Sequence, residues 1–299
     1  MVAIVVLSRG KCGLSRCITY YLVAMAVADL LVVITGVVLN RIIDMYFPGN
    51  YLSLTPVCQT KTALAYAARD ISVWLTVAFT VDRCIAICYQ KLKIIYCTKK
   101  TAAAIIGTVL ALGCLKNIAW YFVYEPLYIF NGMPWYCRIR SSYYILPVWL
   151  VFSYFNRIAT SFLPFFIILL LNSLTVRHII VASRARRALR NKTSSENNSD
   201  PEMESRRKSI ILLFSISGNF ILLWLTYTIH YLYYRITNAY SYAVNNNPVY
   251  ILQETGYMLL LLSCCTNTFI YAVTQTKFRD DLKKMVTYPV NQIVTCLQH

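Results

Sequence analysis

The stretch Cys58–Cys88, CQTKTALAYAARDISVWLTVAFTVDRCIAIC, decides the reading of the chain. Its middle, Ile71 to Val81, is apolar and rich in β-branched and aromatic residues, and it ends in an acid–base pair, Asp82-Arg83. Cys58 and Arg83 are 25 positions apart. At about 1.5 Å per helical residue that is roughly 37 Å, a little more than a hydrocarbon core of about 30 Å. One helix therefore places a cysteine in the outer aqueous layer and an Asp-Arg pair at the inner surface. Read alone, the pair is equally a charged helix end at a membrane interface, where Arg is common.

Composition extends this reading. Of 299 residues, 58% are hydrophobic and 14% charged, and mean hydropathy is +0.52. Soluble domains carry about 25% charged residues. Several apolar runs approach twenty residues and are continuous rather than alternating, so the chain reads as an all-α, polytopic membrane protein. A net charge of +17 would suit nucleic acid, but Arg and Lys gather in short loops between apolar runs, which is a topology signal, and no nucleic-acid partner is expected. Among 11 cysteines none forms a CxxC pair. Only Cys58 and Cys137 fall in segments placed outside, where a disulfide persists.

Taken in order, Met1–Leu7 is apolar but too short to span, and reads as the inner end of a first helix whose outer part is missing, or else as a short amphipathic start. Complete spans are expected at Ile18–Leu39, through the Cys58 helix, at Ala102–Val123, at Tyr144–Val181 with Pro164 inside, at Ser209–Tyr234 and at Val249–Val273. Arg41–Pro56, Gln90–Thr101, Glu125–Tyr143 and Arg184–Lys208 read as loops, the last one mobile. After Val273, Phe278, Leu282 and Met285 fall at helical spacing opposite Lys and Arg, as in an interfacial amphipathic helix. Residues 1–273 thus form one membrane domain and 274–299 a tail. Basic residues around Arg9–Arg16, Lys91–Lys100, Arg184–Lys208 and Lys277–Lys284 share one side, so the N-terminus is expected outside and the C-terminus in the cytoplasm.

The order Ala28-Asp29, Cys58, Asp82-Arg83, Pro164, Phe220 with Trp224, then Asn267-Thr268-Phe269-Ile270-Tyr271 resembles the rhodopsin-like (class A) G-protein-coupled receptors over nearly the whole chain. The tract Ser8–Cys17 with Thr19–Ile34 is more narrowly similar to the orphan receptors of the G-protein coupled receptor 139-like group. The resemblance implies a seven-transmembrane helix bundle in the plasma membrane with a short amphipathic helix after the last span, an extracellular ligand and a heterotrimeric G protein. Arrestin and receptor kinases are further partners that it implies. Asp82-Arg83-Cys84 matches the Asp-Arg-Tyr motif with Cys84 for Tyr, and Asn267–Tyr271 matches Asn-Pro-x-x-Tyr with Thr268 for Pro. Trp224-Leu225-Thr226 matches the Trp-x-Pro toggle with Thr226 for Pro. Two kinking prolines are therefore absent; a Thr bends a helix more weakly, by bonding back to a carbonyl.

By the same resemblance, Asp82, Arg83, Asn172, Asn267 and Tyr271 form the G-protein switch, Phe220 and Trp224 the toggle, and Cys58–Cys137 a disulfide, the alternative being two free thiols in an oxidising exterior. Elevated basal activity is expected, because the segment facing Arg83, Arg206-Arg207-Lys208, is basic where an acidic lock would sit. Asp29, Ser72, Ser263 and Asn267 lie at similar depth and suit an interior sodium ion, the one ion or cofactor expected; a water cluster is the alternative. A ligand pocket is expected from Arg69, Asp70, Arg157, Tyr227, His230, Glu254 and Tyr257, suited to an aromatic amino acid or peptide-like ligand with charged ends. The alternative for Arg69 and Asp70 is structural pairing. No Ser-His-Asp, HExxH or phosphate-loop pattern occurs, so no enzyme is expected. A transporter or channel is the rival class, and would show internal repeats and broken helices.

Overall fold

A computed structural model describes residues 2–8, 15–190, 201–237, 248–275, 278–285 and 287, with only the backbone at 185–190, 201–206, 231 and 234–237. The elements are α1 Val2–Ser8, then α2 Arg16–Val33, which continues as a π-helix, Ile34–Ile42, into α3 Ile43–Tyr46. Next come α4 Thr55–Cys88, α5 Gln90–Tyr96, α6 Lys99–Asn117 and α7 Ala119–Val123. Four short strands follow, β1 Tyr124–Glu125, β2 Tyr128–Phe130, β3 Met133–Trp135 and β4 Arg138–Ile139. The chain then runs through α8 Ser142–Ile145, α9 Pro147–Arg157, a π-helix Ile158–Phe162, α10 Leu163–Arg190, α11 Pro201–Thr237 and α12 Pro248–Thr274. Six helices among the described residues are long and apolar enough to cross a membrane.

Helix α4 is the axis of the bundle. Its most apolar window is 67% buried, against 11% for those of Lys99–Val123 and Pro147–Arg184. Outward faces of the other spans carry large apolar side chains such as Leu115, Phe166, Leu222 and Phe269, all exposed, as a lipid-facing surface requires. Inside, Ile71, Leu75 and Phe79 of α4 pack with Tyr21, Leu22 and Met25 of α2, with Leu212 and Ile216 of α11, and with Tyr271. Ala3, Val6 and Leu7 bring α1 into the same core. Residues 278–285 are helical. Phe278 is buried there, with Leu282 and Met285 packed behind it, so that short helix lays its apolar face on the bundle.

Several boundaries differ from the sequence reading. Helix continues to Tyr46 because no breaker occurs before Pro48-Gly49, so Arg41 rides on the helix rather than in a loop. Gln90–Tyr96 is helical, which its Lys, Leu and Gln content favours. Helical backbone enters the Arg184–Lys208 segment from both ends; Asn191, Asn197, Ser194, Ser195, Ser199 and Cys296 lie outside the described residues, as do the side chains of Glu202, Glu204 and Arg206. The Glu125–Tyr143 loop folds as antiparallel ribbon, β1 on β4 and β2 on β3. Its turn is Asn131-Gly132, both at positive φ (49° and 74°). That dipeptide is a strong hairpin signal, present in the sequence beside the Pro126, Gly132 and Pro134 that mark only a loop. Pro164 lacks an N–H and crowds the preceding turn; the widened turn Ile158–Phe162 just before it absorbs that conflict.

Candidate functional site

At the C-terminal end of α4, Asp82 and Arg83 are 1% and 4% exposed. Arg83 donates through Nε to Asp82 Oδ2 at 3.0 Å and through Nη2 to the same oxygen. The other carboxylate oxygen accepts from the Cys17 thiol of α2 at 3.2 Å. Cys97, between the spans, points its thiol at the Asp82 carbonyl, 3.7 Å away. Burial, and then the negative charge of Asp82, push the Cys97 thiol up to about 12. Asn172 of α10 donates to Ser217 Oγ of α11 at 2.8 Å. Tyr271 is buried with its ring edge-on to Phe278, centroids 6.1 Å apart. Arg83, Asn172 and Tyr271 therefore stand on three helices, each engaged with its own neighbours rather than with the others.

One level up, Asp29 is buried and ties three helices. Ser72 Oγ donates to Oδ1 at 2.6 Å and Asn267 Nδ2 to Oδ2 at 2.8 Å. Ser263 lies on the same cavity wall, about 10 Å³ in volume, with Arg69, Phe220 and Trp224. Such a space holds about one water. Asn219 of α11 completes the layer, reaching Ser263 and accepting from Thr266 Oγ1 at 3.0 Å; sequence reasoning passes over it, although an amide in mid-span is itself a signal. Phe220 stacks on Trp224 at 5.0 Å, and Trp224 meets Tyr227 edge-on at 6.2 Å.

Higher still, the adjacent residues Arg69 and Asp70 part company. Gly113 lets α6 approach α4 closely; a Cβ there would lie 2.6 Å from Ile71 Cγ1. Lys116 and Asn117 are thereby delivered to Asp70. Lys116 Nζ lies 2.5 Å from Oδ2, Asn117 Nδ2 donates to the same oxygen, and Thr160 Oγ1 donates to Oδ1 at 2.6 Å. Asp70 is thus turned away from the expected pocket and knits α4 to α6 and to the π-turn before Pro164. This corrects its grouping with Arg69, for a steric reason: successive helical side chains project about 100° apart. Lys116, a charge near the end of an apolar span, is the sequence signal that was available.

Arg69 points the other way. Its guanidinium lies over the rings of Tyr66 (5.2 Å) and Tyr257 (5.5 Å), and its Nε is buried without a hydrogen-bond partner. Arg41 also lies over the Tyr257 ring, at 5.1 Å, and pairs with Glu254 at 3.0 Å. Tyr66 stacks on Trp120 at 4.0 Å, planes 9° apart. Arg41, Tyr257, Arg69, Tyr66 and Trp120 are thus linked in sequence by cation–ring and ring–ring contacts across the upper bundle. Arg157 donates to Tyr227 Oη at 2.5 Å, and His230 is buried one turn further along α11. Two ring faces return at best about 2 kcal/mol each to a desolvated cation, against several kcal/mol to bury an ion. The guanidinium is left with free energy to gain from an anion.

The opposite rim, at the start of α4, is braced by the Cys58–Cys137 disulfide, with Cα atoms 6.2 Å apart. Thr55 Oγ1 donates to the Tyr136 carbonyl at 2.6 Å and Gln59 Nε2 to the Tyr124 carbonyl at 2.8 Å. The hairpin is thus pinned over the start of α4.

Comparison with known proteins gives one family: the seven-transmembrane receptor (rhodopsin family) model matches residues 1–271. Among curated relatives, the chain is 28% identical to the sex peptide receptor of Drosophila melanogaster over 156 residues, 48% of this chain and 35% of that one. It is 23% identical to human neuromedin-U receptor 2 over 278 residues, 90% of this chain and 63% of that one. It is 33% identical to the human thyrotropin-releasing hormone receptor over 105 residues, 35% of this chain and 26% of that one. The chain thus spans about a third, two thirds and a quarter of these relatives' lengths.

Proposed function

We propose, since the chain belongs to the rhodopsin family of seven-transmembrane receptors, that it carries an extracellular ligand's signal to a heterotrimeric G protein. It is a multi-pass membrane protein and a receptor rather than an enzyme, and family membership sets aside the transporter or channel reading. The proposal places it in the plasma membrane with its N-terminus outside, residues 1–273 as the receptor body and 274–299 as a cytoplasmic tail open to receptor kinases and arrestin. A narrower kinship with the G-protein coupled receptor 139-like group belongs to the same proposal.

The observation that carries it is the buried Asp82–Arg83 pair at the inner end of the axial helix. A guanidinium whose only partner among the described residues is its neighbour's carboxylate has two places to be: on Asp82, or on a partner inserted between parted helices. Such a two-position element is what a switch needs. Above it, Trp224 shares a cavity wall with both Asp29 and Arg69, so the ligand level and the Asp29 level, which lies next above the switch pair, meet at one side chain. Movement of Trp224 would pull α11 away from α4 and release Arg83. Asp29, Ser72, Ser263 and Asn267 offer the hard oxygen donors a sodium ion requires, around room for one small guest; when bound, the ion would add positive charge that favours the packed layer. Ligand recognition falls to the Arg69–Tyr257 level with Tyr227, Arg157, His230 and Glu254, and an aromatic amino acid or a peptide suits its rings and charges. Two relatives, the sex peptide receptor and the thyrotropin-releasing hormone receptor, are named for a peptide and a hormone, which favours a peptide.

The test is G-protein dissociation in cells expressing the chain or its Arg83→Ala variant at equal surface density. Basal or ligand-driven signal that disappears with Arg83→Ala supports the reading. Surface protein with no signal through any G-protein class, or signal indifferent to Arg83, overturns it.

A further inference from the structure

Among the described residues, Arg69 is a cation of the upper bundle that pairs with no carboxylate. Two acids lie near it in the sequence or in space, and both are spent elsewhere. Asp70 is taken by Lys116, Asn117 and Thr160, and Glu254 by Arg41. Among the described residues, no ion pair includes Arg69, and its Nε is buried without a partner. The guanidinium lies over the rings of Tyr66 on α4, at 5.2 Å, and Tyr257 on α12, at 5.5 Å, and the hydrogen-bonding capacity of its Nε is unused. Arg69 also lines the water-sized cavity that Trp224 and Leu260 line.

We infer that Arg69 is an anion-recognition site, and that the ligand enters with a carboxylate foremost and an aromatic group beside it. A planar guanidinium takes a carboxylate through two parallel N–H···O bonds, a match no ammonium or amide can make. Tyr66, Tyr257 and Tyr227 supply the aromatic walls. A ligand amine finds no acid here, because Asp70 and Glu254 are already paired. The site therefore selects acids over amines and over the corresponding amides. It selects them next to Trp224, where occupancy bears directly on the switch. This assignment rests on the receptor reading for its consequence but not for its chemistry, since binding alone can be measured.

The experiment uses the full chain, purified in detergent, and follows thermal denaturation with hydrocinnamate, hydrocinnamamide and phenylpropylamine, three probes that share a phenylpropyl frame. The tripeptide Ala-Ala-Phe, with free or amidated C-terminus, asks whether the carboxylate comes from a small acid or a peptide end. Stabilisation by at least one free acid, absent with its amide and with the amine, is the expected result. Arg69→Gln should abolish it, and Arg69→Lys should retain it in weakened form. The acid-against-amide comparison on the unaltered chain decides the matter even where Arg69→Gln fails to fold. Equal response to acid and amide, preference for the amine, response to no probe, or a response surviving Arg69→Gln overturns the assignment. Acid-selective binding without G-protein dissociation would keep the anion site and sink the signalling reading; signalling driven by amides or amines would do the reverse.

Discussion

Helix α4 carries the same two residue types side by side twice, and the fold treats them oppositely. Asp82-Arg83 closes on itself, with the guanidinium on the neighbouring carboxylate and a thiol on the remaining oxygen. Arg69-Asp70 opens, the acid going to α6 and the π-turn, the base to two tyrosine rings. Neighbours on a helix project about 100° apart, so they meet only when a long side chain bends back and nothing better is in reach. At the C-terminal end of α4, among the described residues, nothing better is. In the middle, Lys116 is within reach of Asp70 because Gly113 lets α6 come close. A sequence-adjacent acid and base is thus a poor guide to an ion pair; the neighbouring helices decide. One pair becomes a latch that can be released, the other a strut and a vacant cation.

The largest effect should come from the strut. Asp70→Ala strands Lys116, Asn117 and Thr160 around a hole, and breaking a buried pair costs about 3–5 kcal/mol. A marked fall in thermal midpoint and in surface expression is the outcome to look for. If Asp70→Ala is as stable as the parent, the division of labour drawn here is wrong.

A smaller and opposite result is expected at Arg69. Arg69→Met abandons no acid, gives up two ring contacts of about 0.5–2 kcal/mol each, and removes an ion-burial cost of several kcal/mol. Its thermal midpoint should stay at or above the parent's, whereas Arg83→Met, which leaves Asp82 with only the Cys17 thiol, should lower it. Scans at one heating rate compare all three, since unfolding of such proteins is commonly irreversible.

The smallest effect sharpens the inner half. With its thiol pushed up to about 12 by burial and by Asp82, Cys97 should alkylate slowly with iodoacetamide. Its rate should keep climbing with pH beyond the ordinary thiol range near 8.5, instead of levelling off there. The sign follows from the shift: a raised pKa favours the neutral thiol in the folded state, so any stability it lends is present at neutral pH and lost as pH rises towards the folded value. A plateau near the ordinary thiol value would mean that Cys97 does not sit against the Asp82 carbonyl in solution.

Much of this was legible beforehand. Spans were readable because every backbone group in a bilayer must bond within its own helix, so apolar runs near twenty residues have little choice. Polar residues within the apolar spans, Asp29 and Asn267, announced themselves by their cost. Turns and helix ends were less legible where no Pro or Gly punctuates, as at Arg41, whose place on a helix was missed and whose reach to Glu254 and Tyr257 depends on it. Trp120 and Tyr66 carried no signal beyond ordinary apolar aromatics, yet they end the run of cation–ring and ring–ring contacts.

The sequence by itself determined the membrane class, the order of the spans and the depth of each charged residue, because those follow from length, hydropathy and a rise of about 1.5 Å per residue. Only the tertiary structure decided which charge answers which. That choice depends on azimuth and on distances between helices, set by single packing details such as Gly113 against Ile71. Coulombic and hydrogen-bond energies fall away over a few ångströms, so a closer approach of two helices redirects Asp70 and leaves Arg69 waiting for an anion.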